Sequence, residues 1–439
     1  MGGRREVRDG KGGNRSIPSS VIGRSRTKPV KKSVDQLSVR GQRVLVRLDL
    51  NVPLDDTGRI TDDRRIQAAL PTVKKLLADG GRLILMSHLG RPDEEPENKQ
   101  KYSLRPVAER LTQLLRTSVP LLPDCVGPEV AARVARMHDG EAVLLENLRF
   151  HEAETIKDKK AAEKPKLKEQ KDAFAAELAG LADVYVNDAF GTCHRDNASM
   201  FTVPKLMAGK PRVVGYLVQR ELRYLGEALS DPKRPFVCLL GGAKVSDKLG
   251  VIRTLLTKCD TILIGGAMGY TFLAADGAGV GKSLVEPDLY ETARRLRTDA
   301  GDKLRLPVDS VVASEITAGV TTAICTDSIP SDKMGLDIGP ATVKTYAEVL
   351  RTAKTVVWNG PMGVFEVPPF DRGTVAMAQA IADATQRGAT TLVGGGDSAA
   401  ALDKAKLADR VTHISTGGGA SLEFLEGKRF AAIDCLDDT

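Results

Sequence analysis

At 439 residues the chain is longer than one hydrophobic core usually serves, so two domains of ordinary size are expected, and its 42% apolar content is enough to fill both. No run approaches the ~18 consecutive apolar residues of a membrane span, and the N-terminus lacks the apolar segment of a secretory signal. The charge of +7 would suit a nucleic-acid partner, but residues 1–32 hold ten Lys and Arg against Glu6 and Asp9, a net of +8, which leaves −1 for everything after them.

Residues 1–32 are rich in Gly, Ser and Arg and poor in apolar side chains, and read as a disordered basic leader. The expectation is a cytoplasmic monomer with no nucleic-acid or membrane partner. An organelle such as a plastid is the alternative, should the leader be a targeting peptide. The six cysteines (Cys125, Cys193, Cys238, Cys259, Cys325, Cys435) contain no CxxC pair and fit neither a zinc site nor a disulfide framework.

From Lys31 onward, apolar runs of strand length alternate with stretches of helical period, the pattern of an α/β protein with mainly parallel sheets. The first-half strands are Val44–Leu48, Leu83–Met86, Val143–Leu145 and Val184–Val186. Between the first two, Ile66, Ala69, Leu70, Val73, Leu76 and Leu77 fall on one helical face. Residues 152–172 are Lys/Glu/Ala-rich and read as a solvated surface excursion. Tyr216–Leu229 reads as an amphipathic connecting helix that ends at Asp231-Pro232. Beyond it come Phe236–Leu240, Thr261–Ile264, Val356–Trp358, Thr391–Val393 and Thr412–Ser415. The fold expected is two Rossmann-like lobes, each a parallel sheet flanked by helices, joined by an interdomain helix and hinge. The divisions are 33–215, 216–230 and 231–424, with 425–439 packing back on the first lobe.

Ligands of open α/β sheets bind beyond the carboxyl ends of the strands. In the first half those ends carry Asp49 and Asn51, His88 and Arg91, Arg149, and His194 and Arg195: cations and hydrogen-bonding groups. In the second half they carry glycines: Gly241-Gly242-Ala243-Lys244, Gly265-Gly266, Gly360-Pro361-Met362-Gly363, Gly394-Gly395-Gly396-Asp397-Ser398 and Gly417-Gly418-Gly419. Glycine lets backbone N–H groups approach an anion closely. With Lys244 and Lys248 four apart and Asp397 able to hold magnesium, five such loops read as a nucleotide site. Asp276–Ser283 imitates a P-loop only at Gly281-Lys282-Ser283. Asp276 stands where a glycine is required, and a helix precedes it where a strand is needed. Cys193 beside His194 has no third orienting group and reads as packing.

The segments VRLDLNVP (46–53), MSHLGRP (86–92), LENLRF (145–150), NDAFGTCHR (187–195), LGGAKV (240–245), WNGPMGVFE (358–366), GGGDS (394–398) and STGGGAS (415–421) together resemble the phosphoglycerate kinase family, from about Ser33 to about Asp434. That resemblance implies reversible phosphoryl transfer between ATP and the carboxylate of 3-phosphoglycerate, giving ADP and 1,3-bisphosphoglycerate, after hinge closure. It implies that Asp49, Asn51, Arg65, His88, Arg91, Arg149 and Arg195 hold phosphoglycerate, and the place of His194 beside Arg195 adds it to that set. For the Mg²⁺-nucleotide it implies Gly242, Lys244, Lys248, Gly265, Gly266, Asn359, Gly360, Pro361, Gly363, Glu366, Gly394, Gly395, Gly396, Asp397 and Ser398, with Asp397 on the metal and Glu366 on the ribose.

The acceptor carboxylate is already ionised at neutral pH, so no general base is needed. Catalysis then rests on alignment and charge neutralisation. Arg65 and Lys244, with the amides of Gly395, Gly396, Gly418 and Gly419, are the candidates. The departures are Leu50 for a common phenylalanine, Cys193 for alanine, Ala267 for glycine and Ser398 for threonine. None removes a charge or a phosphate donor. A nucleotide-binding regulator without turnover would be indicated by loss of Arg65, Lys244 or Asp397, all of which are present. A nicotinamide-dependent dehydrogenase would need a dinucleotide fingerprint, which is absent.

Overall fold

The computed structural model describes Gly2, residues 30–92 and residues 100–439. The leader reading therefore lies outside the described residues, except for Gly2 and Val30–Lys32.

The first lobe is built on β1 (Arg43–Leu48), β2 (Arg82–Met86), β3 (Ala142–Leu144), β4 (Val184–Asp188) and β5 (Arg212–Val214). They form one sheet in the order β3-β2-β1-β4-β5, every pair parallel. These strands are covered on both faces, which is why they read as unbroken apolar runs instead of alternating ones. The helix Arg64–Ala78 buries Ile66, Ala69, Val73 and Leu76 against Val44, Val46, Leu83 and Leu85 on one face. On the other face, Leu45, Ile84, Val143 and Tyr185 pack with Phe174 and Leu178 of the helix Pro165–Gly180.

Register sets the level at which the chain leaves the sheet. Arg47 pairs with Met86 on one side and Asn187 on the other, so Asp49, His88 and Ala189 emerge together at one edge.

The second lobe uses β6 (Phe236–Leu240), β7 (Thr261–Ile264), β8 (Leu304–Arg305), β12 (Thr355–Asn359), β13 (Thr390–Gly394) and β14 (His413–Ile414). They form a parallel sheet in the order β14-β13-β12-β6-β7-β8. Asn359 pairs with both Gly394 and Leu240, and Leu240 with Ile264, so the glycine loops also start at one level. A separate antiparallel sheet, β10-β9-β11, comprises β9 (Ser310–Ala313), β10 (Ala323–Cys325) and β11 (Met334–Ile338). The sequence reading does not contain it, nor β5 and β8.

The connecting helix spans Tyr216–Ser230, follows β5, and has its N-terminus beside the end of β4. The Asp188 Oδ1 accepts the N–H groups of Leu217 (2.8 Å) and Val218 (3.1 Å), satisfying donors that a helix N-terminus leaves free. The C-terminal segment runs beside the first lobe. Lys32 donates its N–H to Asp437 O at 2.9 Å, and Arg212 pairs with Asp437 at 2.8 Å. Phe190 of the first lobe meets Phe424 and Phe430 with ring centroids 6.1 and 6.2 Å apart, edge-on and tilted, an aromatic contact between the two halves.

One sequence reading changes. Residues 152–172 are not merely solvated: they form a 3-10 turn (Glu152–Thr155), a helix (Asp158–Glu163) and the start of Pro165–Gly180. Glu154 and Lys171 are buried there, the latter bonded to Asp158 and to Asp196 O at 2.6 Å each. The P-loop imitation at Gly281-Lys282-Ser283, rejected on sequence, packs internally. A Cβ on Gly281 would lie 2.3 Å from the carbonyl oxygens of Pro330 and Lys333. No described helix is long and apolar enough to cross a membrane.

Candidate active site

At the first-lobe edge, asparagines and serines tie four loops together. Ser87 Oγ accepts from Leu50 N–H (2.9 Å), Asn51 Oδ1 from Gly90 N–H (2.8 Å), and Asn147, fully buried, bridges Leu89, Tyr102 and Arg149. Gly90 has φ +58° and its Cβ would enter the Tyr102 ring, so glycine is required at that turn.

Onto this frame come the charged groups. Arg65, in the first turn of Arg64–Ala78, reaches the buried Asp49 carboxylate at 2.5 Å. Arg149 donates to Gly90 O at 2.5 Å. Arg91 and Arg195 are exposed. His88 is buried, and both desolvation and the charges of Arg47, Arg149, Arg65 and Arg195 hold its pKa well below the usual histidine value. His194 is lowered too, by desolvation first and Arg195 second, and its buried Nδ1 has no hydrogen-bond partner among the described residues. An anion arriving here meets guanidinium groups and two neutral imidazoles. Cys193 is buried, its Sγ 3.4 Å from Ala189 O, and burial pushes its thiol far up, which suits packing and not nucleophilic attack.

In the second lobe the glycine loops interlock by backbone contact. Gly242 donates to Pro361 O (3.0 Å), Gly266 to Met362 O (2.8 Å) and Met268 to Gly242 O (3.0 Å). Ser398 Oγ accepts from Gly360 N–H at 2.7 Å. Asn359 is buried at the centre. Its Oδ1 takes the Lys248 ammonium, while its Nδ2 has no partner among the described residues and faces Gly394 and Gly395. Burial lowers Lys248 to about 8, partly opposed by Asp247 and Asp397. Gly265 and Gly363 serve packing, since a Cβ at either would lie 2.4 Å from Met362 Sδ or Asp337 Oδ1.

The helices Gly396–Lys404 and Gly419–Leu425 begin at glycine caps, Gly395 (φ 93°) and Gly418 (φ 53°). Nothing lies within 4 Å of where a Cβ would stand on Gly396, Gly418 or Gly419, so the space before these N-termini is open. Unsatisfied N–H groups and the helix dipole make such ends receptive to phosphate. Asp397, in the first turn of Gly396–Lys404, Lys244 and Glu366 are exposed, and no hydrogen bond among the described residues engages the Asp397 carboxylate.

The two edges adjoin. A Cβ on Gly417 would sit 2.6 Å from Phe190 Cδ1, and one on Gly191 would sit 3.6 Å from Thr416 O. Arg64 of the first lobe forms an ion pair with Asp403 of the second. Glu221 of the connecting helix accepts from Thr416 N–H and His413 Nε2, both at 3.0 Å. The sequence reading put Asn147 at this edge without a role, and missed Arg47 and Asp337 as site-building residues. Of the two missed, only Arg47 carried a signal, a charge inside the otherwise apolar run 44–48.

A cationic edge beside glycine loops and open helix ends, carried on two parallel-sheet lobes, is the arrangement of a two-lobed α/β phosphotransferase. A family model described as "Phosphoglycerate kinase" matches residues 34–428, and the chain belongs to that family. It is 54% identical over 411 residues to the phosphoglycerate kinase of Rhodopirellula baltica, covering 93% of this chain and 99% of the relative. It is 52% identical over 414 residues to that of Chlorobium phaeobacteroides, covering 93% and 100%. The solved phosphoglycerate kinase of Coxiella burnetii superposes with a TM-score of 0.79 at 39% identity, covering 92% of this chain and 98% of that one. The chain is thus a kinase of glycolysis, transferring a phosphoryl group between ATP and the carboxylate of 3-phosphoglycerate.

Proposed function

We propose that the first-lobe edge holds phosphoglycerate through Asn51, Arg65, His88, Arg91, Arg149, His194 and Arg195. In this reading Asp49 holds Arg65 in place and the second lobe holds the nucleotide. The observation that carries this is the separation of chemistries: arginines around a neutral His88 on one edge, glycine-capped helix ends with free space before them on the other. Phosphates would lie at Gly395, Gly396, Gly418 and Gly419, with Lys244 and Lys248 beside them and Glu366 reaching the ribose.

Magnesium fits the donor set, since Asp397 offers an exposed carboxylate in a helix first turn with no competing hydrogen bond among the described residues. The ion would neutralise phosphate charge. Every other role belongs to the chain: Arg65 and Lys244 neutralise the moving phosphoryl group, and no side chain removes a proton, because the attacking carboxylate is already ionised. The lobes close about the Tyr216–Ser230 helix to bring the substrates into line and exclude water. The protein acts as a cytoplasmic monomer, with 33–215, 216–230 and 231–424 as its moving units and 425–439 riding on the first.

Lys244→Ala tests the assignment. We expect a fall in kcat of at least about 100-fold with the phosphoglycerate Kd unchanged. A change confined to KM would remove Lys244 from the transferring group.

A further inference from the structure

Arg47 has no role in the scheme above, yet it is fully buried in the middle of the first-lobe sheet. An unpaired guanidinium there would cost several kcal/mol. Each of its three nitrogens is engaged. Nε donates to Ser199 Oγ at 3.0 Å, Nη1 to Leu48 O, and Nη2 lies 3.1 Å from His88 Nδ1. The counter-charge stands one residue further on. Ser199 Oγ donates to Glu154 Oε1 at 2.7 Å, Glu154 Oε2 accepts Ser199 N–H at 2.9 Å, and Asn197 Nδ2 donates to Oε1 at 3.2 Å. Glu154 is likewise fully buried. A line of hydrogen bonds therefore runs from Glu154 through Ser199 and Arg47 to His88.

The direction of the last bond is fixed by chemistry. A guanidinium has only donors, so His88 Nδ1 must accept, and the ring proton must sit on Nε2. An imidazolium would place N–H against N–H, and burial together with Arg149, Arg65 and Arg195 further opposes it. Among the described residues no hydrogen bond takes up Nε2. We infer that Arg47, held by Ser199 and Glu154, is a positioning residue that locks His88 as a neutral Nε2–H donor toward phosphoglycerate. This rests on the placement of phosphoglycerate at His88 proposed above. Its consequence is that His88 adds a directed hydrogen bond without adding charge, leaving ligand charge to the arginines.

The test is a long-range ¹H–¹⁵N imidazole spectrum of the full-length protein, with the His88 signals assigned from their loss in His88→Gln. Pyridine-type Nδ1 and protonated Nε2 are expected. An Nδ1–H tautomer, a mixture or an imidazolium overturns the inference. Because Arg47→Met alone leaves Glu154 buried and uncompensated, the paired change Arg47→Met with Glu154→Gln removes both charges. It should give a tautomer mixture and weaken 3-phosphoglycerate binding about tenfold, with ATP affinity unchanged. A pure Nε2–H tautomer in that variant shows that Arg47 does not set it and also overturns the inference. If the wild-type tautomer is as expected but 3-phosphoglycerate does not move the His88 signals, the substrate placement fails while the Arg47–His88 lock stands.

Discussion

Gly266→Ala probes the interlocked nucleotide loops most sharply. Gly266 has φ +67°, and a Cβ there would lie 2.5 Å from Gly242 N and 2.6 Å from Gly242 O. Backbone atoms cannot rotate away as a flexible side chain can. The left-handed conformation costs a non-glycine residue roughly 1–2 kcal/mol, and forcing atoms into a closed contact adds about 1–3 kcal/mol. Gly277→Ala isolates the first contribution, since Gly277 has φ +93° with nothing within 4 Å of its Cβ position. Urea denaturation should therefore find Gly266→Ala less stable than Gly277→Ala by about 1–3 kcal/mol. Displacing Gly242 and Pro361 should also weaken ATP binding by titration calorimetry at least about tenfold, with 3-phosphoglycerate binding unchanged. Equal stability and equal ATP affinity in the two variants would refute the interlock.

Burial raises the Asp337 carboxyl to about 7, against hydrogen bonds from Gly373 and Ile338 that lower it. Its protonated form favours the fold fully below the unfolded value near 3.8, and that contribution is lost as pH rises toward about 7, roughly 4 kcal/mol in all. Asp337→Asn should flatten the fall in stability between pH 4.5 and 7.5, measured by urea denaturation; a slope equal to wild type would contradict this. The level of stability is not diagnostic, because the amide gives up the Gly373 bond. Arg64 and Asp403 pair across the lobes while about half exposed, 51% and 43%, so the pair is worth about 0–1 kcal/mol. Asp403→Arg should raise KM for both substrates roughly twofold to fivefold at low salt. Adding Arg64→Asp should restore it, and failure of the exchange to restore would show that the pair does not join the lobes.

Much of the site was legible because parallel strands covered on both faces leave unbroken apolar runs, and the residues just after each run lie at a ligand-binding edge. Asp49, His88 and the Gly360 and Gly395 loops could be placed on that rule alone. Strands of two or three residues, such as β8 and β10, bury too little to leave a pattern, and Ile324 of β10 is half exposed. The stretch 152–172 misled because its composition is that of a solvated face. Nothing local reveals that Glu154 meets Ser199, 45 positions away, or that Lys171 is buried. Arg47 showed locally only as a charge within the apolar run 44–48, and its role was hidden because its partners Ser199 and His88 come from other parts of the chain. The Gly265 and Gly363 packing contacts were invisible for a related reason: a glycine looks the same in sequence whether its missing side chain makes room for a ligand or for Met362 and Asp337.

The most direct measurement is ADP formation from ATP by the purified protein, with 3-phosphoglycerate and Mg²⁺ supplied together and each omitted in turn. Turnover is expected only when both are present, since the phosphoryl group has no acceptor without the acid and no neutralised donor without the ion. ADP release at the same rate without 3-phosphoglycerate would contradict transfer between two substrates held on separate lobes.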